Sequence, residues 1–351
     1  MRTVVRLSTI LLLGAGFLIP QDKPALSGLD PVLLIRGQET PGKPELEGRH
    51  AGFLYHFASV ETQQAFRREP DRFGIQYEGS CGKMGTGSGK GSPERYWVHD
   101  GRIYVFASES CRNGFKGDPE NFVEKPETAP PAGADSKRRG RELVEKAVAA
   151  HGGRDRIDGQ RSYVEQSVTD AAGERQPSLR VSLHARLPGH YRRGTDYPNY
   201  GAYGEVVTPS EAATFGPKTR TPTGPLTRAV LQRGFERTPL EVLRARHRKD
   251  FQAWAVGETA FGVYFDGMVM NVELDPANSR VARMSHRGRA PGGKLGNLVV
   301  HFEDYRAVDG IWIAHRVRSE HNGAAAGAHT VKAFDVNGPV DSGLFEATAK
   351  P

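Results

Sequence analysis

The sequence predicts an α+β protein in two parts: a small α+β domain, then a curved antiparallel β-sheet or open β-barrel with covering helices. Three observations carry this. The chain has 351 residues, and at roughly 100–200 residues per domain that length suits two domains. Glycine (42) and proline (23) are abundant, which disfavours a helix bundle and favours a turn-rich fold. Finally, a gapless repeat occupies residues 54–73 and 103–122, whereas period-two alternation of apolar and polar residues dominates after residue 141.

The first segment, 1–27, reads as a signal peptide or N-terminal anchor. Met1 to Arg6 carries two positive charges, and Leu7 to Ile19 is apolar apart from Ser8, Thr9 and small glycines. That is the order of a secretory signal. Pro20 and Lys23 end the run short of a comfortable membrane span. The remainder is therefore expected outside the cytoplasm, and no other apolar run suits a polytopic membrane protein.

Residues 28–125 form the expected small domain. Leu54-Tyr55-His56-Phe57-Ala58-Ser59 recurs as Ile103-Tyr104-Val105-Phe106-Ala107-Ser108, and Phe66, Pro70 and Phe73 recur as Phe115, Pro119 and Phe122. Each copy predicts a strand, a serine N-cap, a helix and a proline stop, because Ser59 and Ser108 can accept free helical N–H groups and proline cannot continue a helix. Two similar β-hairpin–helix units in one domain follow.

Residues 126–140, with Ala129-Pro130-Pro131-Ala132 and the basic Lys137-Arg138-Arg139, predict an extended linker. The second domain is expected over 141–351. Leu143, Val144, Ala147 and Val148 have helical spacing, and Gly152-Gly153 supplies a stop. Alternation then predicts strands around 181–187, 268–274 and 298–302, with hairpin turns at Asp266-Gly267, Asp309-Gly310 and Asn322-Gly323. A helix over 239–254, with Leu240, Leu243, His247 and Phe251 at helical spacing after Pro239, reads as a lid over the sheet or as an ordinary packing helix. Tyr197 to Pro225, rich in Gly, Pro and Thr, carries no compact pattern. The inward positions Met268, Met270, Val272, Leu274, Leu298, Val300 and Phe302 are expected to line a hydrophobic ligand groove, since a sheet with one apolar face must cover it or offer it to a ligand.

The net charge of +7 is scattered, with neither a clustered basic face nor a recognised motif, so nucleic acid is excluded as a partner and an anionic membrane surface is retained. Gly85 to Gly91 imitates a phosphate loop but has Met84 and Gly91 where Gly and Ser or Thr are needed. No nucleophile elbow or His-Glu-x-x-His motif occurs.

Two resemblances add to this reading. The stretch from Leu29 to Lys125 resembles the YHS domain family, through Leu29-Asp30-Pro31-Val32, Tyr55-His56-Phe57-Ala58-Ser59, Phe66, Pro70 and Phe73. Its second copy is similar to the TRASH metal-binding finger, with Cys111 kept, Ala107 in place of one cysteine, and Cys81-Gly82-Lys83-Met84 at the opening Cys-x-x-Cys. Residues 141–351 resemble the LolA/LolB-like lipoprotein-carrier open barrels, through His151-Gly152-Gly153, Tyr163-Val164-Glu165, Leu274-Asp275-Pro276 ahead of Val281, Phe302-Glu303-Asp304-Tyr305, Val308-Asp309-Gly310-Ile311-Trp312 and His315-Arg316. That resemblance implies a hydrophobic groove for acyl chains.

Cys81 and Cys111 are the only cysteines. In an oxidising compartment a disulfide is the simplest outcome. A soft metal ion, copper or zinc, held by Cys81, Met84, His99 and Cys111 is a second, and simple burial a third. If Ser108 caps its helix, Cys111 stands at the third helical position, where the dipole favours a thiolate. The combined expectation is an exported, non-catalytic binding protein of the periplasm or cell envelope, taking a lipid or a lipidated protein. A thiol-based redox or metal-dependent enzyme using Cys81 and Cys111, and an envelope interaction protein without a small ligand, are the alternatives.

Overall fold

The structure is a computed structural model that describes residues 23–170, 177–290 and 292–346. The signal-like reading of residues 1–22 lies outside them. The chain divides into two compact units, one running to Gly82 and resuming over Thr86–Arg112, the other comprising Lys83–Gly85 and the chain from Asn113 onward. The break therefore falls earlier than residue 125. The physical reason is local bonding in the second unit: Arg289 donates to the Phe122 carbonyl and to the Glu124 carboxylate, both at 2.8 Å, and the Val269 amide donates to Glu127 at 2.7 Å.

In the first unit β1 (Lys43–His50) pairs with β2 (Phe53–Phe57), and β3 (Ser92–His99) with β4 (Arg102–Phe106), both antiparallel. Three short helices, α1 (Pro31–Leu34), α2 (Val60–Arg68) and α3 (Pro70–Phe73), belong here, and α4 (Glu109–Gly117) begins here. The expected caps are present. Ser59 accepts the Thr62 N–H in a capping box, and Ser108 accepts the Cys111 N–H at 3.1 Å. The repeat reaches further than the sequence pattern indicates. The bulge between Lys43 and Glu47 recurs between Ser92 and Tyr96. The Gly42 amide donates to the Gly28 carbonyl as Gly91 does to Gly79, each at 2.8 Å. The core is Phe53, Tyr55, Phe57, Phe66, Phe73, Ile75, Ile103 and Val105.

Asp30 is buried, and its carboxylate accepts from the Val32, Leu33 and Ala58 amides and from the Thr62 hydroxyl. It thereby ties α1, the end of β2 and α2 together. Asp30→Ala leaves these donors without an acceptor and should cost about 3 kcal/mol. Hydrogen exchange of the β1–β2 amides in urea should show the earlier opening; an unchanged protection pattern would refute this account of Asp30.

Among the described residues of the second unit, thirteen strands form one antiparallel sheet. They are β5 (Ser162–Thr169), β6 (Arg180–Arg186), β7 (His190–Tyr197), β8 (Gly201–Val207), β9 (Ala212–Gly216) and β10 (Thr219–Pro222), then β11 (Gln252–Ala255), β12 (Ala260–Phe265), β13 (Met268–Leu274), β14 (Val281–Arg289), β15 (Leu295–Val308), β16 (Ile311–His321) and β17 (Ala324–Val336). The chain meanders outward from β5 to the edge strand β10, crosses to the opposite edge at β11, and meanders back until β17 pairs with β5. β10 and β11 remain edges, so the curved sheet is open. The crossover consists of α7 (Pro225–Glu236) and α8 (Pro239–Arg244), while α5 (Ala134–Ala150) and α6 (Arg154–Asp158) precede the sheet. One core cluster joins α5 and α8 to residues from β11 through β17, so the sheet curls around these helices.

Three expectations change here. The linker is not extended throughout, because α5 starts at Ala134 and includes Lys137, Arg138 and Arg139; Arg138 pairs with both Asp135 and Glu142 along it. Gly140 lets α5 lie directly on β11, where a Cβ would stand 2.5 Å from the Trp254 backbone. The 239–254 helix is only Pro239–Arg244 followed by one tight turn, since Gln252 already joins the sheet edge against β12. Tyr197 to Pro225 is not irregular: it forms β8, β9 and β10.

Candidate functional site

α8 and the chain entering it lie beside a cavity on the sheet. Thr238 caps α8, accepting the Glu241 N–H at 3.4 Å. Arg244 bridges Glu241 and Gln160, and the Tyr163 hydroxyl reaches Glu241 at 3.4 Å. These buried polar contacts fix the helix over β5. Beside it lies a cavity of about 210 Å³, lined by Tyr163, Glu165 and Leu183 of β5–β6, Arg237 to Leu240, Val300, Phe302 and Tyr305 of β15, Trp312 to Ala314 and Val317 of β16, and His329, Val331 and Phe334 of β17. The lining is predominantly apolar. Tyr163 stacks on Phe334 with centroids 5.4 Å apart.

A carboxyl, a guanidinium and an imidazole enter this wall. Burial raises the Glu165 carboxyl above its ordinary range, against a hydrogen bond from Ser167 and the nearby Arg193. Burial lowers His329 and Arg237, and among the described residues the Arg237 Nε has no hydrogen-bond partner. The site thus combines an apolar body with a few polar groups, the usual composition of a small-molecule pocket.

His151 explains why the scattered sequence motifs converge here. It is buried at the end of α5. The Val281 amide donates to its Nε2 at 3.1 Å, so Nδ1 carries the proton and donates to the Trp312 carbonyl at 3.2 Å. The Trp312 amide returns a bond to the His151 carbonyl at 3.1 Å. Gly152, at φ 127°, is required because a Cβ would lie 2.4 Å from the Gly310 carbonyl oxygen. The Tyr305 hydroxyl donates to the Val281 carbonyl at 2.8 Å, and the Arg280 guanidinium lies 3.4 Å from the centre of the Trp312 ring. These contacts hold Tyr305 and Trp312, which line one side of the cavity. Burial pulls His151 down to about 4, which keeps it neutral.

The sequence-derived groove is partly displaced. Val300 and Phe302 line the cavity. Leu298 is half-buried and lies beyond it along β15. Met268, Met270, Val272 and Leu274 do not face a groove: they are buried in the closed core beneath α5 and α8. Alternation placed them on the inner face without indicating that two helices cover that half of it. Sequence reasoning also missed that Tyr305 joins Phe302 at the site, because the two have opposite parity. Asp304, at φ 52°, breaks the alternation between them.

The sulfur-containing set is not assembled either. Among the described residues no group of three or more His, Cys, Asp and Glu side chains is placed to hold a metal ion. Cys81 is buried and bridges to Val105, whereas His99 pairs with Arg102 at the other end of the same hairpin, three residues or roughly 10 Å away. Met84 belongs with the second unit. In place of the expected disulfide, the structure carries thiols at Cys81 and Cys111, the latter half-buried in the first turn of α4.

No protein-family model and no curated protein matches the chain. Among solved structures, a DUF1329 family protein from Desulfovibrio piger shares 10% identity, covering 59% of this chain and 97% of its own, with a TM-score of 0.41. A LolA superfamily protein from Nitrosomonas europaea shares 11%, covering 59% and 96%, with 0.39. The Mycobacterium tuberculosis lipoprotein LppX shares 14%, covering 59% and 99%, with 0.26. At these values the likeness carries no functional information. Among the described residues no helix is long and apolar enough to cross a membrane.

Proposed function

We propose that this chain is an exported, non-catalytic binding protein of the cell envelope whose second unit takes up an acyl chain, from a lipid or a lipidated protein. The observation that carries the reading is the apolar cavity beside α8. Its volume of about 210 Å³ exceeds the roughly 150 Å³ engineered cavity that accommodates benzene. A segment of aliphatic chain fits, and Glu165, Arg237 and His329 would meet a polar end of the ligand. Export rests on the signal-like residues 1–27, and attraction to an anionic membrane surface on the net charge of +7. In this reading the first unit is a YHS-like module with a structural part.

The test uses a fluorescent fatty acid and a cavity-filling substitution. Ala314→Trp puts an indole into the space beside Tyr305 and Val317. Binding should weaken at least about tenfold, a loss of about 1.4 kcal/mol, while thermal unfolding stays close to wild type. Wild-type protein that neither binds the probe nor carries extractable lipid from its own envelope would overturn the carrier reading in favour of a protein-interaction role.

A further inference from the structure

We propose that Cys81 and Cys111 are a reversible dithiol–disulfide pair, a redox-sensitive clasp that joins the N-terminal turn of α4 to the segment entering β3. The internal repeat supports this independently of the lipid-binding reading. The two copies correspond not only in their strands but also in single hydrogen bonds. The Asp30 amide donates to the Thr40 carbonyl at 2.9 Å, and the Cys81 amide donates to the Gly89 carbonyl at 2.9 Å. The antiparallel bridge between Leu29 and Pro41 recurs between Ser80 and Lys90. Residues 26–28 and 77–79 share the same succession of positive φ angles. Cys81 therefore stands where the first copy has Asp30. By the 49-residue offset of the strands and helices, read from the sequence, Cys111 stands where the first copy has Thr62.

In the first copy those two side chains touch: the Thr62 hydroxyl donates to the Asp30 carboxylate at 2.6 Å. The second copy replaces this contact by the only two cysteines of the chain. The Asp30 position is also one that holds an anion, accepting the Ala58 amide at 2.7 Å, and Ala107 occupies the place of Ala58. A thiolate at Cys81 inherits that setting. Cys111 is the half-buried member and Cys81 the fully buried one, which orders the chemistry. The Cys111 thiolate attacks one sulfur of an external disulfide, forming a mixed disulfide and expelling the other sulfur as a thiolate that takes up a proton. The Cys81 thiol then gives up its proton, and its sulfur attacks Cys111, expelling the second external thiol. One external disulfide is reduced to two thiols while the protein pair is oxidised.

The experiment treats the reduced, full-length chain with glutathione disulfide, alkylates it under denaturing conditions and reads intact mass. Wild type should lose two hydrogens, retain no glutathione and resist alkylation at both cysteines; dithiothreitol should restore both. Cys81→Ser should instead accumulate one glutathione on Cys111, and Cys111→Ser should accumulate none while folded. A stable glutathione adduct on wild type, or a wild type left as a dithiol, would overturn the proposal. The wild-type arm decides the matter even should a variant fail to fold.

Discussion

Replacing Met270 with Glu is expected to unfold the second unit rather than to impair ligand binding selectively. Met270 has no solvent exposure and pairs across β12 with Val263, in the cluster that α5 and α8 close over. The side chains of that cluster are apolar. An uncompensated buried charge costs about 3–5 kcal/mol, against a total domain stability of roughly 5–15 kcal/mol. Urea denaturation followed by circular dichroism should show a greatly lowered midpoint, or no folded baseline. A wild-type midpoint would mean that this half of the sheet is open after all. Ala314→Trp is the informative contrast, because it adds bulk where the structure has space.

Acidification is expected to destabilise the second unit between about pH 6.5 and pH 4. His151 and His286 are both pulled down to about 4, chiefly by burial; Arg237 adds to this at His286. Above pH 6.5 these rings are neutral in both folded and unfolded chains and contribute no pH dependence. As the pH falls, the unfolded chain binds protons that the folded chain refuses, so stability drops until the folded-state value is passed. Each ring accounts for about 3 kcal/mol over that window. Glu165 and Glu236, which burial raises, act in the opposite sense by binding protons more readily in the folded state. Urea midpoints at pH 7 and pH 4.5 measure the net effect. His151→Gln should lower the midpoint at pH 7, because the Val281 and Trp312 bonds are disturbed, and should flatten the dependence on pH. A pH slope identical to wild type would remove His151 from the explanation.

The first unit's hairpin–helix copies were legible because each signal is local. Ser59 and Ser108 cap the helix that begins next to them, Pro70 cannot continue α2, and a repeated string of aromatic residues needs no distant partner to be recognised. In the second unit, the strands around Met268–Leu274 and Leu295–Val308 were legible from alternation, and the turns at Asp266, Asp309 and Asn322 do adopt positive φ. The β8–β10 strands were not legible, because Gly, Thr and Pro in that stretch resemble loop composition until their neighbours pair with them.

What the sequence determined by itself, then, was which residues have an inner face and where the chain turns, since side-chain direction in a strand follows from backbone geometry alone. Only the tertiary structure decided which part of the inner face is closed and which is open. α5 and α8 cover Met268, Met270, Val272 and Leu274, whereas the turn into α8 leaves the space bounded by Tyr163, Val300, Phe302 and Val317. That outcome depends on contacts between residues more than 100 positions apart, such as His151 with Val281 and Trp312 and Ser136 with the Ala255 carbonyl. Periodicity reports the direction of each side chain, and only the packed chain reports what stands opposite it.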